Sequence, residues 1–188
     1  IIETTESTSE NIIKIAVIGK PNSGKSTFIN QIIKNKRLIT SNIAGTTRDS
    51  TSINFVHKKQ KITFVDTAGI SRKKINKNNI EKLAITDSYK AIRLANICLL
   101  MVDITQQQLD KNEIELANHV INEGRILILI LNKVDLVDTR EKAKIKEEII
   151  YQINKYGKSI KVGGNNIYLI SAISIKSNNS IIDYAIKL

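Results

Sequence analysis

The sequence predicts an α/β fold, a mostly parallel sheet of about six strands with helices on both faces. Three observations predict it. Apolar runs alternate with helical patterns along nearly the whole 188-residue chain, as in proteins built from strand–helix–strand units. The longest pure apolar stretch, "ILILIL" at Ile126–Leu131, has the unbroken character of a strand buried on both faces. A glycine-bearing turn, "GKPNSGKST" at Gly19–Thr27, stands between an apolar run and an amphipathic one.

Taken in order, residues 1–10, "IIETTESTSE", are polar, acidic and rich in Ser and Thr, and read as an interdomain linker. A chain that begins this way rather than with Met reads as a piece of something longer. Residues 11–188 then form one domain, large enough for a sizeable core. Strands are expected at Ile12–Ile18, Thr51–Val56, Lys61–Val65, Ile97–Val102, Ile126–Leu131 and Ile167–Ile170. Helices are expected at Lys25–Lys34, Ile80–Leu94, Asp110–Asn122, Thr139–Lys155 and Asn178–Leu188. No internal repeat interrupts this order.

The formal charge is +11, from 29 basic and 18 acidic residues, which invites a nucleic-acid partner. A compositional bias toward Ile, Lys and Asn accounts for part of that charge, and "REKAKIKEEII" at Arg140–Ile150 reads as a solvated helix face. The cluster "SRKKINKNN" at Ser71–Asn79 is different, because it concentrates four cations in one loop. The single cysteine, Cys98, falls in the apolar "ANICLLMVD" and reads as a small buried hydrophobe, in keeping with a reducing cytoplasm. His57 and His119 have no metal-ligand spacing and read as surface or packing residues. No apolar run reaches the length of a membrane span.

The chemistry lies at the strand ends. Gly19, Gly24, Lys25 and Ser26 have the spacing of a phosphate-binding loop. Glycines allow backbone N–H groups to turn onto phosphate oxygens, and the helix beginning near Lys25 aims its positive end at the same anion. Lys25 would reach the β- and γ-phosphates of a nucleotide, with Ser23 and Thr27 in the same cradle, and the Ser26 hydroxyl would hold Mg²⁺. After the third strand, "DTAG" supplies Asp66, placed to hold Mg²⁺ through water, and Gly69, whose N–H can meet a γ-phosphate. After the fifth, "NKVD" supplies Asn132, Lys133 and Asp135. Asp135 can accept both the N1 and N2 hydrogens of guanine, and Asn132 can bond the opposite edge or brace the phosphate loop. After the sixth, backbone N–H groups of Ser171, Ala172 and Ile173 could meet the guanine O6. In "AGTTRD", Ala44–Asp49, one of Thr46 and Thr47, with Thr47 preferred, would sense the γ-phosphate and complete the Mg²⁺ shell.

Each motif alone could be a turn or a helix cap; in this order, each at a strand end, they resemble the TrmE–Era–EngA group of guanine-nucleotide switches over Asn11–Leu188. The nearest pattern is the second GTP-binding domain of the tandem EngA (Der) family, carried by "GKPNSGKST", "AGTTRDS", "FVDTAGISRKK", "AITDSYKAIRLANICLLMVD" and "NKVDLVD". Era-type chains usually read DTPG, and TrmE-type chains lack the basic "SRKK". Two positions depart from the EngA pattern: Val134 replaces the usual Trp, and Ser71 the usual Arg. The resemblance implies a P-loop GTPase fold for residues 11–188 and hydrolysis of GTP to GDP and phosphate. It also implies work in large ribosomal subunit assembly in the cytoplasm, beside rRNA, a preceding G domain and a following KH-like domain. The rival readings are a TrmE-like domain in tRNA modification and a nucleotide-dependent RNA-binding module with incidental turnover. NKVD argues against an ATPase.

Ile70 stands where Ras-type switches place a water-orienting glutamine. By resemblance, Asn22 would fill that gap by holding K⁺ against the phosphates with carbonyls of Ser41–Gly45. Charge stabilisation would then be supplied by the catalytic set Lys25, Asn22, Thr47 and Gly69. An Asn here also suits a simple turn.

Overall fold

The computed structural model describes residues 11–34, 37–38, 52–67, 80–157 and 166–188, and the side chains of all of these except 37, 38 and 80–82. The elements run β1 (Ile13–Ile18), α1 (Lys25–Lys34), β2 (Arg37–Leu38), β3 (Ile53–His57), β4 (Gln60–Phe64), α2 (Ile80–Leu94) and β5 (Ile97–Asp103). They continue with α3 (Lys111–Asn122), β6 (Ile126–Asn132), α4 (Thr139–Tyr156), β7 (Ile167–Leu169) and α5 (Ile175–Lys187). The sheet order is β2-β3-β4-β1-β5-β6-β7. Pairings from β4 through β7 are parallel, and β2 and β3 add an antiparallel edge.

The period of two along each central strand explains the apolar runs. In β1, Ile15 and Val17 face one side with Ile128 and Ile130 of β6, where Phe28, Ile29 and Ile32 of α1 and Ile181, Ile182 and Ala185 of α5 cover them. Ala16 and Ile18 face the other side with Leu129 and Leu131, under Ile92 of α2, Leu116 and Val120 of α3, and Ile145, Ile149 and Ile153 of α4. A strand buried on both faces has no polar face to alternate with, so "ILILIL" reads as one unbroken apolar block.

Several expectations need correction. The sheet has seven strands among the described residues; β2 was missed because two residues carry no periodic signal and pair only through register with β3, Arg37 opposite Val56 and Leu38 opposite Phe55. Helix α5 begins at Ile175, three residues before the expected Asn178, and Asp110 caps α3 instead of lying inside it. That cap is a reciprocal box: Asp110 Oδ1 accepts from the Glu113 N–H at 2.9 Å, and Glu113 Oε2 accepts from the Asp110 N–H at 3.0 Å. Of the two readings of His57, surface or packing, the packed one is seen. It is 4% exposed, and its Nε2 lies 2.5 Å from Asp183 Oδ1. Cys98 is buried, as expected, and burial pushes its thiol up to about 12.

Candidate functional site

The segments at the carboxyl ends of β1, β6 and β7 meet at one cleft of about 440 Å³. Its walls include Asn22, Gly24, Lys25, Ser26 and Thr27 from the loop after β1. Asn132, Lys133, Asp135 and Leu136 contribute from the segment after β6, and Ser171, Ala172 and Ile173 from the turn after β7. Three of the five sequence motifs therefore converge on one space. Gly19 and Ser23 lie buried beneath the loop, and Asp66 sits just past β4 with a left-handed φ of 48°. Thr46, Thr47, Gly69, Ile70, Ser41–Gly45 and the basic loop 71–79 fall outside the described residues.

The glycines are required by what lies behind them. Gly19 has φ +134°, and a Cβ there would stand 2.3 Å from the Met101 carbonyl oxygen of β5. Gly24 has φ +102°, and its Cβ would stand 2.0 Å from Asn132 Nδ2. Neither the angle nor the space admits a side chain. Asn22 also takes the left-handed conformation, φ 64°, which Asn tolerates better than most residues.

Lys25 is folded back on its own loop, where its Nζ donates to the carbonyls of Gly19, at 2.8 Å, and Lys20. Burial pulls its ammonium down to about 8. Lys20 turns outward to pair with Asp110 at 2.6 Å, joining the loop to the cap of α3.

Asn132 is the joint of the site. It is 2% exposed. Its Nδ2 donates to the Ser23 carbonyl at 2.8 Å, 109 residues away in sequence, and its Oδ1 accepts from the Ala172 N–H at 2.8 Å. One side chain thus ties the loop after β1 to the turn after β7. Of the two alternatives left open for Asn132, bracing is the one seen. The Ala172 N–H is occupied by that bond, so in this arrangement it is not a donor aimed at a base.

Register places Asp103 at the end of β5 directly beside Asn132. Burial raises the Asp103 carboxyl, but hydrogen bonds from Lys133, at 2.5 Å, and from Thr105 outweigh it and hold the group below its usual range. Lys133 has φ 68°, and the short turn Val134–Leu136 follows it, with Asp135 and Leu136 exposed at the cleft. Leu136, 67% exposed, and Ile173, 65% exposed, put apolar surface into an otherwise polar cleft, as suits the face of a planar base. Leu136 and Asp103 were not singled out from the sequence, although an acid closing the apolar "CLLMVD" was a signal available for the second.

Residues 14–133 match the family described as 50S ribosome-binding GTPase. The chain belongs to this family. It is 41% identical over 176 residues to the GTPase Der of Rickettsia typhi and 39% identical to that of Rickettsia rickettsii. These matches take in 94% of this chain and 39% of each relative, so the chain spans about two-fifths of the length of those relatives. Among solved structures, Era in complex with MgGDPNP and nucleotides 1506–1542 of 16S ribosomal RNA matches with TM-score 0.64 and 24% identity, covering 94% of this chain and 56% of that one. The translation elongation factor SelB from Methanococcus maripaludis, in complex with GppNHp, matches with TM-score 0.65 and 17% identity over 93% of this chain and 34% of that one. At these identities the two structures show the fold alone, and it is the expected P-loop GTPase fold. The resemblance to the Der group is borne out.

Proposed function

We propose that this chain is a guanine-nucleotide switch that hydrolyses GTP to GDP and phosphate. The observation that carries this reading is the Asn132 bridge, which holds a phosphate loop and a base-facing turn as two walls of one cleft, with the Asp135 carboxylate exposed between them. Asp135 is the guanine selector, since a carboxylate can accept two parallel N–H bonds from guanine and none of that pattern from adenine. In the reaction a water oxygen bonds to the γ-phosphorus as the bond to the β–γ bridging oxygen breaks, the proton passing to the released phosphate. Lys25 and the N–H groups of the loop bind and orient the phosphates.

The donor set fits Mg²⁺, a hard cation that takes oxygen ligands: the Ser26 hydroxyl lines the cleft and the Asp66 carboxylate follows the neighbouring strand β4. Thr47 is the proposed third contributor. When bound, the ion neutralises phosphate charge. Asn22, exposed at the cleft, is the side chain that would hold K⁺.

Kinship with proteins named GTPase Der supports a role in assembly of the large ribosomal subunit, in contact with rRNA. Their greater length leaves room for the preceding G domain and following KH-like domain of that arrangement. Among the described residues, no helix is long and apolar enough to cross a membrane, which fits the proposed cytoplasmic role.

The test is steady-state turnover with Mg²⁺ in K⁺ and in Na⁺ at equal ionic strength, with ATP and Asn22→Ala as controls. GTP turnover without ATP turnover is expected, faster in K⁺, with the K⁺ effect lost in Asn22→Ala. Equal use of ATP would overturn guanine selection, and equal rates in both salts would return Asn22 to a turn residue.

A further inference from the structure

The turn after β7 is held from behind by the first turns of α5. The Ser171 carbonyl accepts from the Ser174 N–H at 2.8 Å and from the Ser177 hydroxyl at 3.2 Å. The Ala172 carbonyl accepts from Asn178 Nδ2 at 2.8 Å. Asn178 is fully buried, on the helix face that also carries Ile181, Ile182 and Ala185. An amide there is costly: its Oδ1 has no hydrogen-bond partner among the described residues. An apolar residue would suit the position better if packing were its only task. Rotating the amide by half a turn would set two oxygens against each other, so the Ala172 carbonyl requires the Nδ2 donor.

Peptide planarity turns this bond into a statement about the cleft. No peptide among the described residues is cis, and in a trans peptide the C=O and the following N–H point in opposite directions. Fixing the Ser171 carbonyl toward α5 directs the Ala172 N–H the other way, and it does meet Asn132 Oδ1. By the same rule, fixing the Ala172 carbonyl on Asn178 directs the Ile173 N–H away from α5, on the side of the cleft that Ile173 lines.

We infer that Asn178 is a positioning residue for base recognition: by clamping the Ala172 carbonyl it aims the Ile173 N–H at the O6 of a bound guanine. The chain Asn178, Ala172, Asn132, Ser23 then runs from α5 through the base turn to the phosphate loop. This rests on the guanine-nucleotide reading.

The experiment compares release of GDP, inosine diphosphate and 2-aminopurine riboside diphosphate from the whole chain, wild type against Asn178→Val. The first two ligands carry O6 and the third does not. The substitution is expected to speed release of GDP and inosine diphosphate on the order of tenfold, the size of one hydrogen bond, and to change release of the 2-aminopurine ligand by less than twofold. Asn178→Ala, which removes the same Nδ2 donor from the Ala172 carbonyl with a smaller side chain, should show the same O6 dependence and stands in if Asn178→Val does not fold. Equal acceleration of all three ligands would mean a purely structural role and overturn the inference, as would no acceleration of GDP release. A wild-type chain that binds adenine and guanine nucleotides alike would overturn the guanine reading itself, and the inference with it.

Discussion

Lys25 has been brought by burial to about 8, and its Nζ donates to two carbonyls of its own loop. A phosphate placed at its Nζ supplies a counter-charge and raises its pKa, so binding and protonation are linked. The sign follows. Below pH 8 both free and bound forms carry the proton and GDP affinity is flat. Above pH 8 the free protein loses a proton that the complex keeps, so affinity falls, by up to about tenfold per pH unit. Calorimetry at about pH 7, 8 and 9 in buffers of different ionisation enthalpy reads this as proton uptake at the upper end, and Lys25→Ala should abolish the uptake. At this scale the residue types were legible in the sequence, because a phosphate loop needs Gly, Lys and Ser at fixed spacing. The reason for Gly24 was only half legible. The tight turn was visible, but Asn132 standing behind it was not.

Between elements, the β3–β4 hairpin and α5 are joined by one carboxylate. Asp183 accepts from Lys58 Nζ at 2.8 Å and faces His57 Nε2, and the Lys58 bond, followed by the His57 bond, holds its carboxyl down at about 2. The hairpin turn places both Lys58, φ 48°, and Lys59, φ 70°, in the left-handed region that glycine and asparagine prefer, so the clamp opposes the turn's tendency to relax. Asp183→Asn is expected to lower the melting temperature by about 2–4 °C at neutral pH. A carboxylate with a depressed pKa stabilises the fold above its unfolded value, about 3.9, and loses that contribution as pH falls through its folded one. The gap between wild type and variant should therefore be full above pH 4 and close toward pH 2. Thermal melts at a series of pH values check it. Sequence spacing could not reveal this clamp, since His57 and Asp183 lie 126 residues apart.

For the whole molecule, compositional bias accounts for part of the charge of +11, and the cluster at Ser71–Asn79 is the part that bears on the proposed rRNA contact. If Arg72, Lys73, Lys74 and Lys77 contact phosphates, replacing all four with Ala should weaken binding to large-subunit rRNA. It should also reduce the slope of log affinity against log salt by about 3. Filter binding over a range of KCl concentrations measures both, and an unchanged slope would remove these residues from the interface.

The sequence by itself determined the α/β class, the positions of the long elements and the order of the nucleotide motifs at strand ends. Those features are encoded by local periodicity and by residue types that a phosphate or a guanine edge demands. Only the tertiary structure decided the two-residue edge strand β2, the buried pairing of His57 and the bridge by Asn132. It also decided the use of the Ala172 N–H and the support of the base turn by Asn178. The physical reason is that most of these depend on which distant atoms share a buried space, where each donor has one direction and each carbonyl must be satisfied, and a linear sequence specifies that only through the completed fold.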